Sequence, residues 1–174
     1  MFALSLDHRA WLQTWGSSLA LLPFCVVFAL EGGGFWLGEA LWMVVHSFDL
    51  IIHEAGHFFF RFFGRFMMIA GGSLLQLLIP ALFVFQGVYW SNKLGTQLAL
   101  LLLGQNFVDV SVYAADAQAR ALPLIGNLGP ESHDWHNMLA MLGWLEHTQL
   151  IAGAIYAMAF VCWGLMLAVP LRIY

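Results

Sequence analysis

The stretch FWLGEALWMVVHSFDLIIHEAGHFFF, residues 35–60, is long and apolar enough to cross a membrane, yet six of its side chains are ionisable. These six are Glu39, His46, Asp49, His53, Glu54 and His57. Ionisable groups at membrane depth are costly and usually serve a function. The stretch therefore predicts a membrane fold and a site inside it.

Five of these side chains share one face of the predicted helix. The steps from Glu39 through His46, Asp49 and His53 to His57 are 7, 3, 4 and 4 residues. At about 100° per residue, these steps keep the five within an arc of about 80°. A membrane helix turns such a polar stripe toward other helices or toward a water-filled cavity. Other spans are therefore expected to surround this one.

The composition supports a membrane protein and excludes two other classes. Of 174 residues, 61% are hydrophobic and 9% are charged, whereas about 25% of the residues of a soluble domain are charged. Six Lys and Arg residues against ten Asp and Glu residues, with a net charge of -4, provide no basic surface for nucleic acid. We therefore expect an integral membrane protein with the lipid bilayer as its surroundings and no nucleic-acid partner.

The apolar runs predict an all-α polytopic bundle that forms one membrane-embedded domain over residues 1–174. At about 20 residues per span, there are about five candidate spans. They lie at about 16–31, 35–60, 73–90, 96–114 and 149–170. The polar stretch at about 115–148 is expected to be a loop with one short helix over MLAMLGWL.

The basic residues favour one orientation of this bundle. With a cytoplasmic N-terminus, Arg9, Arg61, Arg65 and Arg120 lie inside and only Lys93 and Arg172 lie outside. An excess of basic residues on the cytoplasmic side is the usual arrangement. We therefore expect the N-terminus, the end of the second span and the 115–148 loop to face the cytoplasm.

The polar stripe contains the motif HExxH, as His53-Glu54-Ala55-Gly56-His57. Two imidazoles four residues apart project from adjacent turns, about 6 Å apart along the axis, and suit one tetrahedral Zn2+. Glu54 follows the first ligand and can act as a general base on water. Alternatively, the histidines are polar packing residues or axial ligands of a haem. Zinc is favoured because haem ligation does not require a Glu at this offset.

A transmembrane HEAGH that is followed by a glycine-bearing connection and another span resembles the site-2 protease class of intramembrane zinc metalloproteases. The resemblance covers roughly residues 50–137 and is closest to small bacterial membrane proteins with HEAGH, which implies a bacterial inner membrane. It implies zinc below the cytoplasmic surface, His53 and His57 as ligands, and Glu54 as catalytic base. In that class the third ligand is an Asp on a later core helix. The class usually carries an Asn-Pro-rich stretch that ends in LDG, and this sequence contains no LDG.

Four polar residues share one face of the predicted fourth span, at steps of 3, 4 and 3. They are Asn106, Asp109, Tyr113 and Asp116. Asp116 is the first choice for the third ligand because its neighbourhood best matches the resemblance. His133 and Asp134 are rivals, since the GPESHDW loop returns on the same side, and Asp109 follows. Alternatively, Asp134 caps the next helix and Asp116 is a solvated helix end.

Asp49 lies four residues before His53 on the same face, as expected of a carboxylate that fixes the tautomer of that imidazole. A helix-packing role is equally compatible with its position. In the resembling class, the connection after the HExxH helix forms an edge strand that captures substrate, and Phe66–Ala70 is the corresponding segment here. Alternatively, it is an interfacial loop anchored by Arg61 and Arg65. Gln76 is expected to face the cavity.

Together, these features predict an intramembrane zinc-dependent peptide-bond hydrolase that acts on a membrane-embedded protein or peptide substrate. The alternative is a non-hydrolytic membrane subunit that binds metal or haem for assembly, transport or electron transfer beside a membrane partner subunit. A metal transporter would be expected to carry ligand pairs on several spans, whereas this sequence has a single HExxH.

Overall fold

The computed structural model describes the backbone of residues 2–171 and the side chains of that range apart from residues 2–10, 13 and 127. Within this range the chain is helical and contains no β-strand, so the all-α prediction is confirmed. The helices are α1 (Phe2–Ala29), α2 (Trp36–Phe60), α3 (Arg65–Tyr89), α4 (Lys93–Ala115), α5 (Asp134–Leu142) and α6 (Thr148–Ala168).

Three segments of the described chain are long and apolar enough to cross a membrane. They are α3, α4 and the stretch Leu145–Leu171, which contains α6. In α1 the apolar part, Thr14–Ala29, is shorter, and α2 carries the ionisable stripe. These lengths are compatible with an integral membrane protein. The count of about five spans, the cytoplasmic N-terminus and the bacterial inner membrane stay predictions.

The connection after α2 differs from what the sequence predicted. Phe66–Ala70, expected to be an edge strand or an interfacial loop, is helical, because α3 begins at Arg65 rather than near residue 73. The chain turns at Gly64, whose φ of 93° favours glycine. Both expectations for residues 66–70 were therefore wrong, and the helix continues through the glycine pair that was expected to precede it.

The glycine pair, Gly71 and Gly72, lies inside α3 at the point where α2 and α3 cross at very short distance. A Cβ atom on Gly56 would lie 2.1 Å from the carbonyl oxygen of Gly71. On Gly72 it would lie 2.4 Å from Nε2 of His53. Small residues at a crossing let membrane helices pack backbone to backbone. The Gly inside HEAGH and the Gly pair of α3 therefore form one interface.

The fourth helix is the centre of the bundle and packs against α1, α3 and α6. Its buried apolar residues join a core with Phe28, Trp163 and Met166. Two buried donors at this core find partners inside the protein: Gln97 Nε2 donates to Ser18 Oγ at 2.8 Å, and Trp163 Nε1 donates to the Leu101 carbonyl at 3.1 Å. These contacts hold α4 in place opposite the polar stripe of α2.

We expect Gly56→Ala to destabilise the protein by about 1–3 kcal/mol, because the new methyl group meets backbone atoms that cannot rotate away. Unfolding in detergent, followed by circular dichroism, measures the loss. The matched control is Gly153→Ala in α6, where a Cβ meets no atom within 4 Å. Equal stability of the two variants would contradict the close crossing.

Candidate metal centre

Two imidazoles and one carboxylate converge at the cavity side of α2. Asp134 Oδ2 lies 3.1 Å from Nε2 of His53 and 3.2 Å from Nε2 of His57. All three candidate ligand atoms lie within 4.8 Å of one another. With metal–ligand bonds of about 2.0 Å, two ligand atoms on a tetrahedral ion lie about 3.3 Å apart. The observed separations therefore fit a single ion of that kind.

The second nitrogen of each imidazole is held by an oxygen atom on α3. His57 Nδ1 lies 2.9 Å from the Met68 carbonyl oxygen, and His53 Nδ1 lies 3.3 Å from Oε1 of Gln76. A carbonyl oxygen can only accept, so Nδ1–H of each ring donates to α3. Each Nε2 is then within hydrogen-bond distance of Asp134 Oδ2, and in a neutral ring with Nδ1–H it would present its lone pair to a bound ion. Two imidazole nitrogens and a carboxylate face one another, an arrangement that calls for a cation or for protons between them.

Asp134 reaches this position because it begins α5, which packs on α3. Tyr113 Oη accepts from the Asp134 backbone N–H at 3.0 Å and donates to Oδ2 of the same residue at 3.3 Å. On the next residue, Trp135 Nε1 donates to Ser73 Oγ of α3 at 3.1 Å. Two spanning helices therefore anchor the first turn of α5.

The electrostatics of Asp134 favour an ionised carboxylate. Burial raises its pKa, but hydrogen bonds with His53 and His57 outweigh burial and bring the pKa to about 2. The capping role considered for Asp134 belongs instead to His133, whose Nδ1 accepts from the His136 N–H at 3.2 Å. The short helix also begins before MLAMLGWL, at Asp134 itself.

Asp116, the first choice for the third ligand, contacts other groups than the HExxH histidines. It ends α4 and accepts from the backbone N–H groups of Ala121 and Leu122 at 3.0 and 2.9 Å. Its Oδ2 lies 3.3 Å from His133 Nε2. Although burial raises its pKa, these N–H groups and His133 lower it overall. The geometry therefore favours Asp134 over Asp116 beside the two imidazoles.

His133 is almost fully buried, and both of its ring nitrogens face groups other than the HExxH histidines. Nδ1 caps α5 and Nε2 faces Asp116. Burial lowers the pKa of this imidazole. His133 therefore stabilises the loop that delivers Asp134 and is not a member of the ligand group.

The remaining candidates lie farther along α2 and α4. Asp109 accepts from Gln76 Nε2 at 2.7 Å. Asp49 accepts from Gln105 Nε2 at 2.8 Å, so its described hydrogen bond supports the packing role rather than contact with His53. Asn106 donates to Gln105 Oε1 at 3.0 Å. The structure therefore brings none of these three into the ligand group, and Gln76 occupies the place considered for Asp49.

A cavity of about 430 Å³ adjoins the ligand group. Its wall includes His53, Glu54, His57 and Asp134, and Gln76 also lines it, as predicted. Glu54 is exposed, so its carboxylate is accessible from this space.

His46 and Trp42 extend the wall of the cavity along α2. The apolar residues of the loop add Leu122, Pro123, Leu124, Ile125 and Leu128.

Sequence reasoning identified the two histidines and Glu54, named Asp134 as a rival third ligand and placed Gln76 at the cavity. It assigned no contact with the histidines to Gln76 and no role to Tyr113 or the Met68 carbonyl. The spacing of Tyr113 placed it on the correct face of α4, and Gln76 stood out as an amide in an apolar span. A backbone carbonyl leaves no sequence signal.

Comparison with known proteins finds no matching protein-family model, curated protein or solved structure.

We expect Tyr113→Phe to loosen α5, because the variant loses both hydrogen bonds to Asp134. A loss of about 1–3 kcal/mol corresponds to faster amide exchange, by at least fivefold, across residues 134–142. Hydrogen exchange with mass spectrometry measures it. Tyr156→Phe is the matched control, since Tyr156 Oη donates to the Ala29 carbonyl at 3.0 Å, between α6 and α1. Unchanged exchange of α5 in Tyr113→Phe would contradict the anchoring role.

Proposed function

We propose that this chain is an intramembrane zinc-dependent peptide-bond hydrolase whose metal is held by His53, His57 and Asp134. The observation that carries the proposal is the convergence of two imidazole nitrogens and a carboxylate on one point beside an accessible Glu54. Three protein ligands of this kind leave a fourth position open, as catalytic zinc sites require. The resemblance of the HEAGH helix to site-2 proteases supports the same chemistry.

When bound, zinc would polarise a peptide carbonyl and acidify water. The residues of the chain supply the remaining steps. Glu54 lines the cavity directly beside the ligand group, where its carboxylate takes a proton from water and later gives it to the leaving amine. Hydrogen bonds from the Nδ1 atoms to α3 orient both imidazoles, and Tyr113 fixes the carboxylate of Asp134.

The cavity supports a peptide rather than a folded domain as substrate. Its volume of about 430 Å³ lies at the lower end of typical ligand pockets. Apolar residues of the 122–128 loop and of α2 line it together with the polar ligand group. An apolar segment of a membrane protein, with one peptide bond near Glu54, matches this lining.

The geometry gives less support to haem binding. Two axial haem ligands approach the iron from opposite sides of the macrocycle. Here the two imidazoles come from adjacent turns of one helix, lie 4.9 Å apart between ring centroids, and face the same carboxylate oxygen. Both would lie on one side of a haem plane, so a compact ion fits the arrangement better.

The first test is the metal content of protein purified in detergent, by elemental mass spectrometry. We expect about one zinc per chain, and loss of that zinc in the double variant His53→Ala/His57→Ala and in Asp134→Ala. Asp116→Ala is the control and is expected to keep its zinc, because Asp116 bonds to the 117–122 turn instead. Iron with a haem spectrum, or zinc lost only in Asp116→Ala, would overturn this ligand assignment.

The second test separates metal binding from hydrolysis. We expect Glu54→Gln to keep the zinc and to slow peptide cleavage by about 10²–10⁴-fold, because a general base is lost and no ligand is removed. Cleavage of apolar peptides embedded in vesicles with the purified protein, detected by mass spectrometry, measures the rate. Cleavage at the wild-type rate by Glu54→Gln, or none by the zinc-loaded wild type, would contradict the proposal.

A further inference from the structure

We infer that Asp109 is a positioning residue that favours the form of His53 with its hydrogen on Nδ1, and so leaves the lone pair of Nε2 to the metal, by fixing the orientation of the Gln76 amide between them. This inference rests on the proposed function only in that His53 is taken as a metal ligand. Asp109 makes no described hydrogen bond to His53, His57 or Asp134. It acts through Gln76.

The three residues form one buried chain across three helices. His53 Nδ1 on α2 lies 3.3 Å from Gln76 Oε1 on α3, and Gln76 Nε2 lies 2.7 Å from Asp109 Oδ2 on α4. Gln76 is 2% exposed, so water cannot replace either partner easily. His46 Nδ1 lies 2.5 Å from the other carboxylate oxygen of Asp109 and holds it in place.

The direction of this chain follows from the chemistry of its members. A carboxamide can turn either its oxygen or its NH2 group toward a neighbour, and a neutral imidazole can carry its hydrogen on either nitrogen. A carboxylate oxygen accepts from an NH2 group, so Asp109 Oδ2 draws Nε2 of Gln76 toward itself, which turns the Gln76 oxygen toward His53. That oxygen accepts from Nδ1–H of His53, whereas Asp134 Oδ2, 3.1 Å from Nε2, competes as the acceptor of Nε2–H while no metal is bound. The Gln76 oxygen therefore favours the Nδ1–H form, in which Nε2 has the lone pair that would bind metal.

His57 does not depend on side chains in this way. Its Nδ1 donates to the Met68 carbonyl, a backbone group whose direction is fixed by α3. The backbone of α3 therefore favours the Nδ1–H form of His57, whereas Asp109, acting through Gln76, favours the Nδ1–H form of His53.

The chain contains a matched control for this inference. Asp49 and Gln105 form a second carboxylate–amide pair between α2 and α4, with the Gln105 Nε2 to Asp49 Oδ2 distance at 2.8 Å and Gln105 fully buried. That pair makes no described hydrogen bond to either ligand imidazole. Asp49→Asn therefore makes the same substitution as Asp109→Asn at another buried carboxylate that is paired with an amide, without a described hydrogen bond that leads to His53.

The direct test reads the tautomer in metal-free Asp134→Ala protein, in which the competing acceptor of Nε2–H is removed, with 15N-labelled histidine and long-range 15N–1H spectra, at a pH where the ring is neutral. In this parent protein we expect His53 to carry its hydrogen on Nδ1, and we expect the added Asp109→Asn to produce the Nε2–H form in a substantial fraction. The added Asp49→Asn should match the parent. The Nε2–H form in the parent, or no change on adding Asp109→Asn, would overturn the inference.

A second readout is the zinc affinity, by competition with a chelator. We expect Asp109→Asn to bind zinc about 10–100-fold more weakly, and Asp49→Asn to stay within about threefold of the wild type. In the double variant Gln76→Glu/Asp109→Asn, the new carboxylate at position 76 can only accept from His53. The new amide at position 109 can donate to that carboxylate. This variant should therefore recover the Nδ1–H form and most of the affinity, whereas a double variant no better than Asp109→Asn would contradict the mechanism.

The two readouts also keep this inference apart from the proposed function. A wild-type protein that binds no zinc would overturn the proposed function, and the metal-free spectra would still decide the role of Asp109. Zinc binding with unchanged tautomers would overturn only the role of Asp109. If Asp109→Asn does not fold, Gln76→Met gives the same test. It removes the amide that links Asp109 to His53 and leaves the carboxylate of Asp109 in place.

Discussion

The close crossing of α2 and α3 at Gly56, Gly71 and Gly72 is the constraint on which the candidate metal centre depends. It brings α3 near enough for Gln76 and the Met68 carbonyl to hold the two imidazoles, and it leaves room for the His53 ring above Gly72. Any side chain at these glycines separates the helices. The motif HEAGH is therefore a packing motif as well as a set of polar side chains.

Asp134, the third candidate ligand, depends on a different part of the chain, a loop that folds back onto the spanning helices. Ser73, one residue after the crossing, binds Trp135, and Tyr113 of α4 binds Asp134. Helix α3 thus supports both imidazoles and the short helix that carries the carboxylate. Because α5 lies in a loop, the completed ligand group requires the loop to be docked, whereas both histidines are held within the bundle.

The sequence predicts the helical fold and the HExxH group well, because apolar run length and 3.6-residue periodicity are local properties. It could not rank Asp134 above Asp116, since both lie in the polar stretch that follows α4 and the choice depends on the turn at 117–122. There the Ala121 and Leu122 N–H groups occupy the Asp116 carboxylate. The helical state of Phe66–Ala70 was also missed, because glycine pairs usually mark a loop and here they mark a helix crossing.

X-ray absorption at the zinc edge tests the central claim, that His53, His57 and Asp134 bind one metal ion, most directly. We predict a first shell of nitrogen and oxygen atoms alone, at about 2.0–2.1 Å, with the outer-shell scattering of two imidazoles. Both cysteines, Cys25 and Cys162, are buried in the core cluster around α4, which does not include the ligand group. Sulfur in the first shell, or no imidazole scattering, would contradict the account.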